Sequence, residues 1–304
     1  MIAARMVDER KARRERQRRQ VRRQRLLAGG AIAAGALAVA AVLLTGGSAG
    51  SRHLNRRAVG RSTARSRRGR QQMGLVRNAT PQPDWRPHTG PVPILEYHVL
   101  GQAPADAPYP ELYVGRTDFS RQMDWLGAQG FEAVTLEQVE RAWYHGRALP
   151  PKPVVLSFDD GYRPQFTFAL PELRKHGWAG VLNLKAEGSD LYESNVKAMI
   201  DAGWELAAHT IHHLDLTELD AVQLHEEVAG SRAILRREYG VPVDDFCYPS
   251  GRFDPTVIAA VEAAGYVGAT TEIPGYAGRE HPYELDRLEI LGSTGVAGLA
   301  EDLG

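Results

Sequence analysis

Cysteine is nearly absent from this chain: Cys247 is the single one in 304 residues. No internal disulfide can form, and no cysteine-rich zinc site can be built. The fold must hold by its core, for which a hydrophobic content of 43% is ample. Net charge is lacking too, at zero by formal count. That zero hides an asymmetry. Residues 1–79 carry 20 Lys/Arg against 3 Asp/Glu, whereas residues 80–304 carry 17 against 34. A basic leader therefore precedes an acidic globular part. Internal repeats are missing, which excludes solenoid architectures.

Residues 26–44 lack any charge (LLAGGAIAAGALAVAAVLL). About 20 helical residues cross a bilayer core, so this run reads as a membrane span. It is longer than the roughly 7–15 apolar residues of a signal peptide, which favours an uncleaved anchor. Gly47-Ser48-Ala49 is a weak cleavage-like site, and cleavage there would give a secreted protein. Ten Lys/Arg fall within the 20 residues before the span and 5 within the 20 after residue 45. That bias puts the N-terminus in the cytoplasm and the rest outside. Nucleic-acid binding is the competing reading of an arginine run, and its place around a span argues against it. The expected organisation is a basic tail over 1–25, an anchor over 26–45, a disordered basic and Pro-rich linker over 46–90, and a folded domain over 91–304. The domain is expected to be a monomer.

Within the globular part, short β-branched runs alternate with helical patterns about six times, which argues for a parallel sheet with crossover helices. Strands are expected at 92–100, 131–135, 154–158, 178–184, 204–208, 245–248, 266–271 and 285–291. Helices are expected between them, including one from Thr217 to about Tyr239. Trp125, Trp143, Trp178 and Trp204 fall at core-like spacings.

Three strand ends carry polar clusters: Asp159-Asp160, His209 to His213, and Pro249-Ser250-Gly251. In a closed barrel such ends converge on one face. Adjacent carboxylates raise each other's pKa, and a bound cation would remove that cost. His209 with His213, or with His212, could grip one ion if the segment turns helical. One carboxylate of the Asp pair completes two histidines plus an acid, the donor set of catalytic zinc or of non-haem iron. The other carboxylate is then free to act as a base.

Ser157-Phe158-Asp159-Asp160-Gly161 and His209-Thr210-Ile211-His212-His213 resemble the first two motifs of the polysaccharide deacetylases, the family 4 carbohydrate esterases. The resemblance covers about residues 92–291. It implies a distorted (β/α) barrel and metal-dependent removal of N-acetyl groups from amino sugars. By position it makes Asp160, His209 and His213 the metal ligands and Asp159 the general base, and it sets His212 aside. The metal it implies is zinc first, with cobalt, nickel or manganese compatible. The substrate it implies is an N-acetylated glycan at the cell surface. A third motif, here Tyr248-Pro249-Ser250-Gly251, would offer the Ser250 N–H to the oxyanion.

Two features depart from the family pattern. An arginine of the third motif usually holds the base, and Cys247 stands near its place; Arg163 or Arg252 are the candidate substitutes. A C-terminal Leu-x-His motif usually supplies the acid, and Leu288 to Leu291 contain no histidine. Residues 94–98 (ILEYH) are instead similar to the start of the poly-N-acetylglucosamine deacetylases, which makes His98 the expected acid. Two other readings compete. An iron oxygenase could use the same triad, although its acid normally lies close to its histidines. A non-catalytic wall-glycan-binding module could retain the fold, a reading that the missing arginine favours and Asp159 opposes.

Overall fold

The computed structural model describes residues 81–304. Among them, seven strands form a closed parallel barrel: β1 (Ile94–Tyr97), β2 (Pro153–Asp159), β3 (Val181–Leu184), β4 (Glu205–Ala208), β5 (Asp245–Cys247), β6 (Gly268–Pro274) and β7 (Leu285–Glu289). From β2 to β7 each strand pairs with its neighbour in sequence. The first strand closes the ring by pairing with both β7 and β2. The expected parallel α/β barrel is what forms. An eighth strand, Glu132–Val134, adds to the outer edge of β2.

The central strand is apolar because both its faces are covered. Every residue of β2 is buried. Phe158 stacks on Tyr97 at 5.5 Å between ring centroids and packs against Trp204 at 5.0 Å. Gly180 lets these rings approach: a Cβ there would lie 2.9 Å from Phe158 and 2.8 Å from Trp204. Trp143, Trp178 and Trp204 are buried as their spacing suggests, and Trp125 packs half-buried on Phe131.

Two boundaries differ from the sequence reading. The folded unit begins before residue 91, because Trp85 is buried and Arg86–Pro87 pairs with Ala148–Leu149. The long helix starts at Ala221 rather than Thr217. Asp220 caps it by accepting from the Val222 and Gln223 N–H groups, while Leu219 is extended. It then passes through a π-helical turn, Glu226–Gly230, into Ser231–Tyr239. Among the described residues no helix is long and apolar enough to cross a membrane. The tail, the anchor and most of the linker lie outside the described residues.

Candidate active site

The C-terminal ends of β2, β3, β4 and β5 open on one side of the barrel, and the polar clusters sit there. At the end of β2 the backbone turns sharply. Asp160 and Gly161 both adopt left-handed conformations (φ 74° and 77°). A Cβ on Gly161 would lie 2.6 Å from Leu184 and 2.8 Å from Ser189, so only glycine fits. Left-handed non-glycine residues are uncommon and store strain. Among the described residues there are four: Asp160, Thr210, His213 and Ser250. All four fall in the three predicted clusters.

The histidine segment is not helical, contrary to the conditional expectation. Residues 209–213 form an irregular turn in which Thr210 (φ 64°) and His213 (φ 61°) are left-handed. That turn, rather than an i,i+4 helical face, brings the two imidazoles together with ring centroids 4.7 Å apart. The Thr210 hydroxyl accepts from the His213 N–H at 2.8 Å. Glu227, on the π-helical turn, accepts from the Ile211 and His212 N–H groups at 3.0 and 2.9 Å. It also bonds His212 Nδ1 at 2.6 Å, which draws that half-exposed ring away from the other two histidines.

Oδ1 of Asp160 lies 3.8 Å from His209 Nε2 and 3.7 Å from His213 Nε2. His209 is buried, and its Nδ1 donates to the Cys247 carbonyl at 2.8 Å. Burial pushes its pKa down to about 4, with Asp159 and Asp160 working in the other direction. The ring is therefore neutral, and its tautomer leaves Nε2 with a free lone pair facing Asp160. One carboxylate and two imidazoles converging in this way fit a divalent metal ion. Asp159, His209 and Cys247 also form a close group, but there Asp159 is already committed elsewhere.

That commitment is to Arg287, which the sequence reading missed. Arg287 comes from β7 and is fully buried. Its Nη1 and Nη2 each lie 2.9 Å from an Asp159 carboxylate oxygen, a two-pronged pairing. Nη2 is also 3.2 Å from Glu96 on β1. Asn183 donates to Asp159 Oδ1 at 2.6 Å, and the Cys247 thiol approaches Oδ2 at 3.4 Å. Burial alone would raise the Asp159 pKa; Arg287, and secondarily the neighbouring histidines, overcome it and hold the carboxyl well below the usual range. Glu96 goes the other way, its pKa raised well above the usual value by burial, against the pull of Arg287. One guanidinium thus faces two acids whose pKa values are driven in opposite directions.

Neither expected substitute for the missing arginine reaches Asp159. The Arg163 guanidinium lies over the Tyr192 ring at 4.4 Å, and Arg252 pairs with Asp215 at the surface. A signal was available in the sequence: Arg287 is the only Lys or Arg within the seven barrel strands. A basic side chain buried within a parallel barrel needs an acid to meet it.

His98 follows β1 and is largely buried. Its Nε2 is 3.8 Å from Glu96, and Glu96, His98 and Asp159 present ligating atoms all within 4.8 Å of one another. Gln165 ties the two halves together, its amide donating to the carbonyls of His98 at 3.0 Å and Asp159 at 2.6 Å. Ser250 lies three residues past Cys247, exposed and left-handed (φ 51°). Among the described residues no hydrogen bond or ion pair links it to the converging groups. A separate cavity of about 390 Å³ lies beside Ala179 and Gly203, at the entry ends of the strands, and none of these site residues lines it.

The sequence profile of the polysaccharide deacetylases matches residues 146–269. YxkH of Bacillus subtilis (strain 168), whose name assigns it to the polysaccharide deacetylases, is 31% identical over 215 residues, covering 69% of this chain and 74% of that protein. This chain belongs to the polysaccharide deacetylase family. The poly-beta-1,6-N-acetyl-D-glucosamine N-deacetylase of Escherichia coli (strain K12) is 36% identical over 95 residues, which is 31% of this chain and 14% of that protein. Among solved structures, the deacetylase PplD of Streptococcus pyogenes in complex with acetate superposes with a TM-score of 0.66 at 24% identity, over 71% of this chain and all of that one. That likeness concerns the fold. The profile match contains Asp159, Asp160, His209 and His213, whereas His98, just past the first barrel strand, and Arg287, on the last, lie outside it.

Proposed function

We propose that this deacetylase is a metal-dependent N-deacetylase of an amino-sugar polysaccharide, anchored by its apolar run at 26–44 with the barrel outside the cell. The observation that carries the reading is a division of labour between adjacent carboxylates. Asp160 faces His209 and His213 and is available to an ion; Asp159 is kept from it by Arg287 and is the ionised base.

A divalent ion at Asp160, His209 and His213, zinc by the chemistry of the donors, supplies Lewis acidity toward an acetyl oxygen. The chain's own groups do the rest. Asp159 accepts a proton from the attacking water. Arg287 keeps Asp159 ionised before that transfer and stabilises its orientation through two bonds. His98, on the Glu96 side of Asp159, is positioned to hand a proton to the departing amine. The Ser250 N–H, in its left-handed turn, is the candidate donor to the developing oxyanion. The binding-module alternative drew support from the missing motif arginine. With Arg287 in that role from another strand, the support is gone.

The test is acetate release by the full chain from a panel of N-acetylglucosamine oligomers, peptidoglycan fragments and O-acetylated glycans. Release from N-acetyl substrates, lost in chelator and restored by zinc, is expected. No acetate from any substrate by the zinc-loaded protein would overturn the proposal.

A further inference from the structure

One cation beside the proposed ligands has no part in the chemistry above. Lys185 follows the last residue of β3, and its Nζ lies 3.6 Å from Oδ1 of Asp160. Its side chain is only 20% exposed. The same oxygen faces the two histidine Nε2 atoms at 3.8 and 3.7 Å. Three nitrogens therefore surround one carboxylate oxygen, and one of them is an ammonium. Arg287 cannot serve Asp160, because it is spent on Asp159 and Glu96.

We propose that Lys185 is a built-in competitor for the metal: it neutralises Asp160 in the metal-free protein and must yield when the ion enters, so that it sets the affinity of the site below what the three ligands alone would give. The proposal rests on the metal reading of Asp160, His209 and His213. Its ground is electrostatic. An ion bonded to Oδ1 at the usual ~2.1 Å would have the ammonium within about 6 Å unless the lysine withdrew. A divalent and a monovalent cation at that separation repel by about a factor of ten in affinity even at the dielectric of water, and by more in a partly buried site. Withdrawal is mechanically easy, since lysine ends in a point charge on a flexible four-carbon stem. It still costs the ammonium its carboxylate partner, so either path weakens binding. The consequence is a site that survives loss of its ion and exchanges it readily.

The experiment is a zinc titration of the full chain against a chromophoric chelator, comparing wild type with Lys185→Met, Lys185→Gln, Lys185→Arg and His213→Ala. Lys185→Met and Lys185→Gln are expected to bind zinc about tenfold more tightly. Lys185→Arg, which keeps the charge, is expected to stay within about threefold of wild type. Zinc affinity lost in His213→Ala but unchanged or weaker in both neutral variants overturns this proposal and leaves the metal site standing. A wild type that takes up no zinc overturns the metal reading itself, and the role of Lys185 with it.

Discussion

Replacing Arg287 by methionine is the sharpest test of how the base is held. The substitution keeps much of the side chain's volume and removes the charge. It leaves Asp159 and Glu96, 1% and 0% exposed, without the guanidinium that lay 2.9 and 3.2 Å from them. Breaking a buried ion pair from one side costs about 3–5 kcal/mol. A domain of this size shifts roughly 2–4 °C per kcal/mol, so melting is expected to fall by about 6–20 °C. The two acids are not equivalent. Arg287 holds the Asp159 carboxyl well below its usual range against burial, whereas burial drives Glu96 well above it. Adding Asp159→Asn to Arg287→Met should therefore recover most of the lost stability, while adding Glu96→Gln should recover little. The assay is differential scanning fluorimetry of the four proteins under one buffer, with acetate release measured alongside for the single variant. A melting temperature within 2 °C of wild type would refute the argument. So would equal rescue by the two second substitutions, because the charge would then not reside on Asp159.

Asp159→Asn is expected to retain zinc and lose acetate release by at least about 100-fold; zinc content and turnover measured on one sample check both halves. His98→Ala should lower kcat by a similar factor with little change in KM, and an unaltered kcat removes it as the acid. Gly161→Ala combines a left-handed backbone with contacts inside 3 Å, and should cost about 2 kcal/mol or more in urea unfolding; a loss under 0.5 kcal/mol would contradict the crowding. Glu140 sits at the entry end of the barrel near buried Asp245 and Glu205, and its pKa is pushed up to about 8, by burial first and then by Glu205. A carboxyl raised in the folded state contributes stability that is complete below its unfolded pKa and is lost as pH rises through the folded one. Stability should thus decline from about pH 4.5 to about pH 8, and Glu140→Gln should flatten that decline by a few kcal/mol. Identical urea midpoints against pH for the two proteins would exclude Glu140 as the cause.

What was legible in the sequence follows from how local each signal is. The strands β1, β2 and β3 are buried along their whole length and read as short, mostly apolar runs, so the polar residues just past β2 stand out by contrast. Asp160 announces itself in this way, and His209 and His213 do the same past β4. The geometry that joins the histidines did not, because left-handed backbone at Thr210 and His213 has no glycine to mark it; the turn is imposed by Glu227 from sixteen residues away in the case of Ile211. Arg287 was harder still. Its partner lies 128 residues upstream, and the arginines considered, Arg163 and Arg252, follow β2 and β5, whereas the side chain enters from β7. Glu96 passed unnoticed for the same reason: a buried acid is informative only once its cation is known.

The closing of the barrel has a consequence for biosynthesis. β1 emerges early from the ribosome and β7 last, and each pairs with the other. A nascent chain that has finished β5 already possesses both aspartates and all three histidines of the second motif, yet nothing neutralises the buried base. Until the final strand zips into place beside the first, Asp159 has an incentive to stay protonated and idle. If Asp159 is the base proposed above, acetate release awaits the pairing of β7 with β1, and a chain truncated before residue 285 is expected to be inert however well its earlier segments fold.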